Sequence, residues 1–190
     1  MKLAIMQPYF MPYIGYFQLI KIVDKFIFYD DVTFIKQGWI NRNRILINNQ
    51  AKMFSIPLSN ASSHVLIKDV LISEIAYQKW RKSFLNSIVF SYKKAKNYSK
   101  INALIERILE KKPETISEIA IKSVIEVSKY LDLKTEFEVC SNVYSNTYLS
   151  GQNRVLDICI NEKATTYINP IGGMELYSKS VFQEKNIELF

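Results

Sequence analysis

The sequence predicts an α/β fold: a mostly parallel, doubly wound sheet carrying a helical insertion. Three observations predict it. Short apolar runs alternate with helix-length segments at both ends of the chain, near residues 2–47 and 135–190. Between them, amphipathic stripes run from about residue 75 to 132. A hydrophobic content of 48% with 13% aromatics, in 190 residues, is enough for a packed core. The expectation is one α/β domain over 1–190, with 75–132 as a helical insertion or subdomain.

Taken in order, Lys2–Met6 reads as a short apolar strand, and Gln7–Tyr13 is broken by Pro8 and Pro12. Ile14–Val23 has helical length, with Phe17 and Ile20 on one face, and Lys25–Tyr29 is an aromatic-rich strand that ends in Asp30-Asp31. Strand, loop, helix and strand within some 30 residues is the size of a βαβ unit. Arg44–Ile47 and Lys52–Pro57 flank Asn48-Asn49-Gln50 as a hairpin, and Val65–Ile72 reads as a further strand. Tyr77, Trp80, Phe84, Ile88 and Tyr92 form one helical stripe; Ile101, Leu104, Ile105, Ile108 and Leu109 form a second. A third helix, Ile116–Leu131, opens on a capping box, Thr115-Ile-Ser-Glu118. Beyond it come a strand at Glu136–Cys140, a helix at Gln152–Asn161 with Ser150 as N-cap, and a strand at Thr165–Ile168. The loop Asn169–Gly173, a helix at Leu176–Glu184 and a strand at Ile187–Phe190 close a second βαβαβ half. Two such halves make the sheet Rossmann-like, with nucleotidyltransferase-like character.

Several classes are excluded. Five Gly and five Pro rule out collagen-like and low-complexity chains. The uncharged run from Ala4 to Ile20 contains two prolines and two glutamines, which makes a poor spanning helix. The opening Met-Lys-Leu-Ala-Ile-Met does not read as a signal peptide. Two cysteines, Cys140 and Cys159, outside any CxxC, fit a reducing compartment. With a single histidine, His64, they leave no Cys/His zinc site, so no metal is assigned. The expected location is cytoplasmic, with peripheral attachment at the inner membrane left open.

The net charge of +7 is unevenly spread. Residues 76–112 alone carry +8, from ten Lys and Arg against Glu106 and Glu110. Either this is a solvated helical face, or it meets an acidic partner such as a phosphorylated carrier or an anionic membrane surface. The aromatics of the segment lie on the core stripe and no RNA-binding motif is present, which argues against nucleic acid. The segment is expected to lie outside the catalytic crevice and to serve docking at most.

Three segments carry candidate chemistry. In Gln7-Pro-Tyr-Phe-Met-Pro-Tyr-Ile-Gly-Tyr-Phe-Gln18 the chain leaves a strand and enters a helix, where open α/β sheets bind ligands. Gln7, Tyr9 and Tyr13 are candidate binding residues, and Gly15 allows backbone or ligand to approach closely. By spacing, Tyr13-Ile-Gly-Tyr16 occupies the place of the His-x-Gly-His signature of nucleotidyltransferases, though tyrosine supplies no cationic imidazole. In the second segment Asp30 and Asp31 end a strand, as a general base, an amine ligand, a metal holder or simple caps. Lys36, Asn41, Arg42 and Arg44 follow as anion and amide donors. Alternation puts Arg42 and Arg44 on one face of a strand. In the third, Gly172 and Gly173 follow a strand and can expose backbone N–H groups to an anion, with Arg154 at the same edge.

Together, Gln7-Pro-Tyr-x-x-Pro-Tyr-x-Gly-Tyr-Phe17, Asp30-Asp31-Val-x-Phe-x-Lys36 and Asn41-Arg-Asn-Arg-Ile45 resemble the WbqC-like family, and the likeness extends through Tyr167…Gly172-Gly173…Tyr177. Tyr13 stands where Trp is common in that family, and Tyr16 where Phe is. Family chains usually continue past the point matched by Phe190, so a catalytic group from such a tail is not assigned here. Members occur in surface-polysaccharide and O-antigen gene clusters. The resemblance implies a transferase of O-antigen or lipopolysaccharide biosynthesis that passes glycine or another acyl group to a nucleotide-linked amino sugar.

On this reading Asp30 or Asp31 frees the acceptor amine of its proton, and Arg42 or Arg44 holds a phosphate. No nucleophile motif is present, so transfer is direct. No cofactor is identified, and the activated acyl or aminoacyl donor is not named by the sequence. Alternatives are a degenerate nucleotidyltransferase-like enzyme, or a non-catalytic sugar-nucleotide-binding subunit of a glycan assembly complex. One crevice is expected to join Gln7, Tyr9, Tyr13, Asp30, Asp31, Asn41, Arg42 and Arg44.

Overall fold

The structure is a computed structural model. It describes the backbone of residues 1–190 and every side chain except that of Met174. The chain divides into two compact units. One comprises Met1–Gln7, Tyr13–Asp31 and Leu131–Phe190; the other comprises Pro8–Pro12 and Val32–Tyr130.

The first unit is a five-stranded, wholly parallel sheet. Its strands are β1 (Lys2–Met6), β2 (Lys25–Phe28), β5 (Glu136–Glu138), β6 (Thr166–Tyr167) and β7 (Glu188–Leu189), in the order β5-β2-β1-β6-β7. From β1 the chain steps outward through β2 to β5, then returns to the other side of β1 for β6 and β7. This is the doubly wound, Rossmann-like α/β order, and its switch point lies between β1 and β6.

Side-chain alternation explains why both faces are covered. Phe26 and Phe28 turn to one face, where Phe26 meets Tyr16 of α1 (Ile14–Ile22) at 5.3 Å between ring centroids. Leu3, Ile5 and Ile27 turn to the other, packing with Val155, Leu156, Ile158 and Cys159 of α5 (Gly151–Asn161) and Phe182 of α6 (Lys179–Gln183). Tyr167 stacks on Phe182 with their planes 9° apart.

The second unit holds the antiparallel hairpin β3 (Arg42–Ile47) and β4 (Gln50–Ser55) with α2 (Glu74–Tyr92), α3 (Tyr98–Ile108) and α4 (Ile116–Tyr130). The hairpin turns through Asn48 and Asn49, both at positive φ, a conformation asparagine tolerates. Phe10 is fully buried here, edge-on to Phe54 and Trp80, and its N–H donates to Ile40 O at 2.9 Å. At the start of α4, Glu118 N donates to Thr115 Oγ1 at 3.2 Å, while the Glu118 carboxylate reaches back to Glu114 N. The capping box forms with its return bond one residue early.

Three expectations need correction. The hairpin does not join the parallel sheet but makes a two-stranded sheet of its own. Residues 65–72 form no strand; they hold a 3-10 turn at Ile67–Asp69 between single bridges to Thr33 and Thr115. The helix expected at 176–184 shortens to α6, because Ile171–Leu176 forms a 3-10 turn before it. Ser150 does occupy the N-cap of α5, but without a side-chain bond to the helix.

Candidate functional site

In the sheet unit, the switch point places the segment leaving β1 beside the segment leaving β6. Gln7 follows β1 directly, and its carbonyl accepts a 2.9 Å hydrogen bond from the Tyr16 hydroxyl. Tyr16 is therefore buried and structural, closing the loop from inside, while Tyr13 is exposed at the N-cap of α1. The two tyrosines of the His-x-Gly-His spacing thus point to different environments, and only Tyr13 faces solvent. A Cβ on Gly15 would lie 2.3 Å from Tyr13 Cε2. What approaches Gly15 so closely is the chain's own tyrosine ring.

Past β6, Asn169, Gly173, Tyr177 and Lys179 line a cavity of about 230 Å³ with Leu189 and Phe190. Among the described residues the Asn169 Nδ2 is buried without a hydrogen-bond partner. Gly173 belongs against it: a Cβ there would lie 2.2 Å from Asn169 Nδ2. The expectation that Gly173 offers its N–H to an anion needs correction, since that N–H donates to Pro170 O at 2.8 Å. Gly172 is open on its Cβ side.

At the carboxyl end of β2, Asp30 and Asp31 are both buried. Asp31 Oδ2 receives Arg154 Nη2 at 2.5 Å, and Asp31 Oδ1 accepts from the Ser141 hydroxyl. Asp30 Oδ1 accepts from Ser141 N at 3.3 Å. Arg154, expected as a binding residue at the sheet edge, is only 4% exposed. Its Nε donates to Asn146 Oδ1 at 2.9 Å, and its guanidinium carbon sits 4.9 Å from the Tyr29 ring centroid. Burial raises the Tyr29 hydroxyl above the ordinary tyrosine value, with Arg154 opposing the shift. This network fixes the shape of the edge; it offers Arg154 to Asp31 rather than to a ligand.

In the second unit, Lys36, Asn41 and Arg42 line one open cavity of about 340 Å³ with Ser55. Asn41 Nδ2 donates to Ile56 O at 3.0 Å and Arg42 Nε to Gly38 O at 2.8 Å, so both are held from behind. Arg42 and Arg44 do share the face that carries Trp39, at 5.8 and 5.5 Å from its ring. They then part, because Arg44 lines a different, apolar pocket together with Met11 and Asn43. Tyr9 packs against the hydrophobic core of this unit.

The expected site residues are thus divided. Gln7, Tyr13, Gly15, Asp30, Asp31, Arg154, Gly172 and Gly173 belong to the sheet unit; Tyr9, Lys36, Asn41, Arg42 and Arg44 belong to the other. Among the described residues, no three His, Cys, Asp or Glu side chains cluster as a metal site.

The motif segments thus stand at strand ends and cavity walls. The model of the WbqC-like protein family matches residues 7–190, nearly the whole chain. The chain belongs to the WbqC-like family. A curated relative, the uncharacterized protein Rv1507c of Mycobacterium tuberculosis (strain ATCC 25618 / H37Rv), is 28% identical over 191 residues. That alignment spans 99% of this chain and 80% of the relative. No solved structure matches the chain significantly. Among the described residues of this WbqC-like protein, no helix is long and apolar enough to cross a membrane.

Sequence reasoning overlooked Asn169, Lys179 and Met11 as cavity residues. Asn169 carried a usable signal, since it stands directly between a strand and a Pro-x-Gly-Gly turn.

Proposed function

We propose that this WbqC-like protein is a transferase of surface-polysaccharide biosynthesis that passes glycine or another acyl group to the amine of a nucleotide-linked amino sugar. The observation that carries this reading is the switch point between β1 and β6. Two of the family's motif segments, Gln7–Phe17 and Tyr167–Tyr177, adjoin it, and sheets of this order take nucleotide-type ligands there. Lys179 and the unpartnered Asn169 amide supply a cation and a donor for an anionic or carbonyl group.

In the reaction, the neutral amine attacks the acyl carbonyl carbon. The new C–N bond forms, the bond to the donor's leaving group breaks, and the amine proton passes to a carboxylate. Asp31, held by Arg154 and Ser141, takes a positioning role, and the proton passes to the adjacent Asp30 at the end of β2. The substrates are cytoplasmic sugar nucleotides, and the basic segment 76–112 is available to an anionic membrane surface.

A second reading, a sugar-nucleotide-binding subunit without chemistry, is favoured by the burial of both aspartates. One experiment separates them. Nucleotide-sugars, free nucleotides and aminoacyl adenylates are screened for thermal stabilisation, and hits are incubated and analysed by mass spectrometry. A ligand at 100 times its Kd stabilises by about 2.7 kcal/mol. Stabilisation with an acylated amino sugar supports the transferase, and stabilisation without product supports the binder. No stabilisation by any nucleotide-sugar overturns both.

A further inference from the structure

An apolar pocket lies wholly in the second unit, between the β3–β4 hairpin, the end of α2 and α3. Its volume is about 400 Å³, within the range of small-molecule sites. Phe54, Phe84, Ile88 and Ile105 form its wall, and Arg44 and Lys96, both exposed, stand on it as cations. Among the described residues neither Arg44 nor Lys96 is in an ion pair within 4.0 Å of a carboxylate.

Three features mark it as more than a packing fault. Asn102 is among its lining residues, and its Oδ1 is buried with no hydrogen-bond partner among the described residues, which is costly unless a ligand donates to it. Met11 lines it in a left-handed conformation, φ 47°, that non-glycine residues rarely adopt. That conformation is clamped on both sides: Met11 N donates to Ser123 Oγ at 3.0 Å, and Asn43 Nδ2 donates to Met11 O at 2.6 Å. The Pro-flanked loop and the Asn-Arg-Asn-Arg strand, two segments that carry the family likeness, therefore meet at this pocket.

We infer that the pocket binds a single-chain anionic amphiphile, with its hydrocarbon against Phe54, Phe84 and Ile88 and its phosphate on Arg44 and Lys96. A hydrocarbon tail suits the apolar wall, and a guanidinium beside an ammonium suits a phosphate head. A protonated phosphate oxygen or a hydroxyl of the ligand satisfies Asn102 Oδ1. The inference is independent of the acyl-transfer reading, since it concerns binding in a unit that contains neither aspartate.

Calorimetry on the full chain with decyl phosphate, below its micelle concentration, tests it. Inorganic phosphate and decyltrimethylammonium serve as controls, and phosphatidylcholine vesicles with and without phosphatidic acid as a surface arm. Decyl phosphate should bind, with both controls at least tenfold weaker. Ala95→Trp, which fills the pocket from an exposed turn, and the double variant Arg44→Gln/Lys96→Gln should each raise its Kd at least tenfold, with unchanged circular dichroism. Absence of binding at millimolar decyl phosphate overturns the inference. So does equal binding of inorganic phosphate, or unchanged affinity in both variants. Attachment to phosphatidic acid vesicles that Ala95→Trp leaves intact, with no binding of the free amphiphile, also overturns it by showing a charged surface and not a pocket.

Discussion

Arg154 and Asp31 are separated by 123 residues, yet Nη2 and Oδ2 stand 2.5 Å apart with side-chain exposures of 5% and 0%. The pair ties the first turn of α5 to the end of β2. Asn146 extends it, accepting from Arg154 Nε and donating to Asp157 Oδ2 at 2.7 Å. Breaking such a pair strands a charge in a low-dielectric interior. Arg154→Met should therefore cost about 3–5 kcal/mol in urea unfolding, and Asp31→Leu/Arg154→Met together should cost less than Arg154→Met alone. A single-variant loss below about 1 kcal/mol would show that the pair does not hold this edge together.

Gly173 and Asn169 make a second coupled pair. A Cβ at 173 would overlap Asn169 Nδ2, so Gly173→Ala should destabilise by about 1–3 kcal/mol through overpacking. Asn169→Ala removes an amide that makes no bond through Nδ2, and in that background Gly173→Ala should be nearly neutral. Additive losses in the thermal denaturation cycle would mean that the glycine is needed for some other reason than space.

Alkaline pH should destabilise the protein through its buried thiol and phenols. Burial pushes Tyr77 up to about 12 and Cys159 up to about 12, and it also raises Tyr29, Tyr144, Tyr167 and Tyr177. The folded chain holds these protons while the unfolded chain releases them from about pH 9 for the thiol and pH 10 for the phenols. Stability is thus fully present below about pH 9 and falls as pH rises toward 12. Tyrosinate absorbance should show a class of phenols that appears only with unfolding. Ionisation of every phenol in the folded state, with none reserved for unfolding, would contradict the burial.

Local chemistry made much of the fold legible. β1 and β2 announced themselves as apolar runs because a parallel strand is buried on both faces. The stripe from Tyr77 to Tyr92 and the Thr115–Glu118 box gave helices at their observed places, since spacing of three and four residues is set within one element. Partnerships across the chain were not legible. Nothing near Arg154 indicates that Asp31 will claim it, and nothing in Tyr13-Ile-Gly-Tyr16 says that Tyr16 turns inward to Gln7 O. The segment 65–72 has strand-like residues but finds only single bridges, because tertiary context decides whether a short apolar run pairs. The site suffered in the same way: residue types at strand ends were readable, whereas the parting of Arg42 and Arg44 depends on what packs behind each.

Asp30 and Asp31 should separate cleanly by substitution. They are adjacent in sequence, but Asp31 is anchored by Arg154 and Ser141, whereas the proposal gives Asp30 the acceptor amine's proton. Asp31→Asn keeps the shape but removes the charge that balances Arg154, so its main effect should be on stability, by about 3–5 kcal/mol. Asp30→Asn should leave ligand-induced stabilisation within experimental error and lower the rate of amino-sugar acylation by about 10²–10⁴-fold, the usual contribution of a positioned general base. Raising the pH in the Asp30→Asn variant should recover part of that loss, because more of the acceptor amine is then already neutral. The measurement is single-turnover product formation by mass spectrometry alongside urea unfolding of both variants. Full activity in Asp30→Asn would remove it as the base, and a wild-type unfolding curve for Asp31→Asn would deny the ion pair its structural weight.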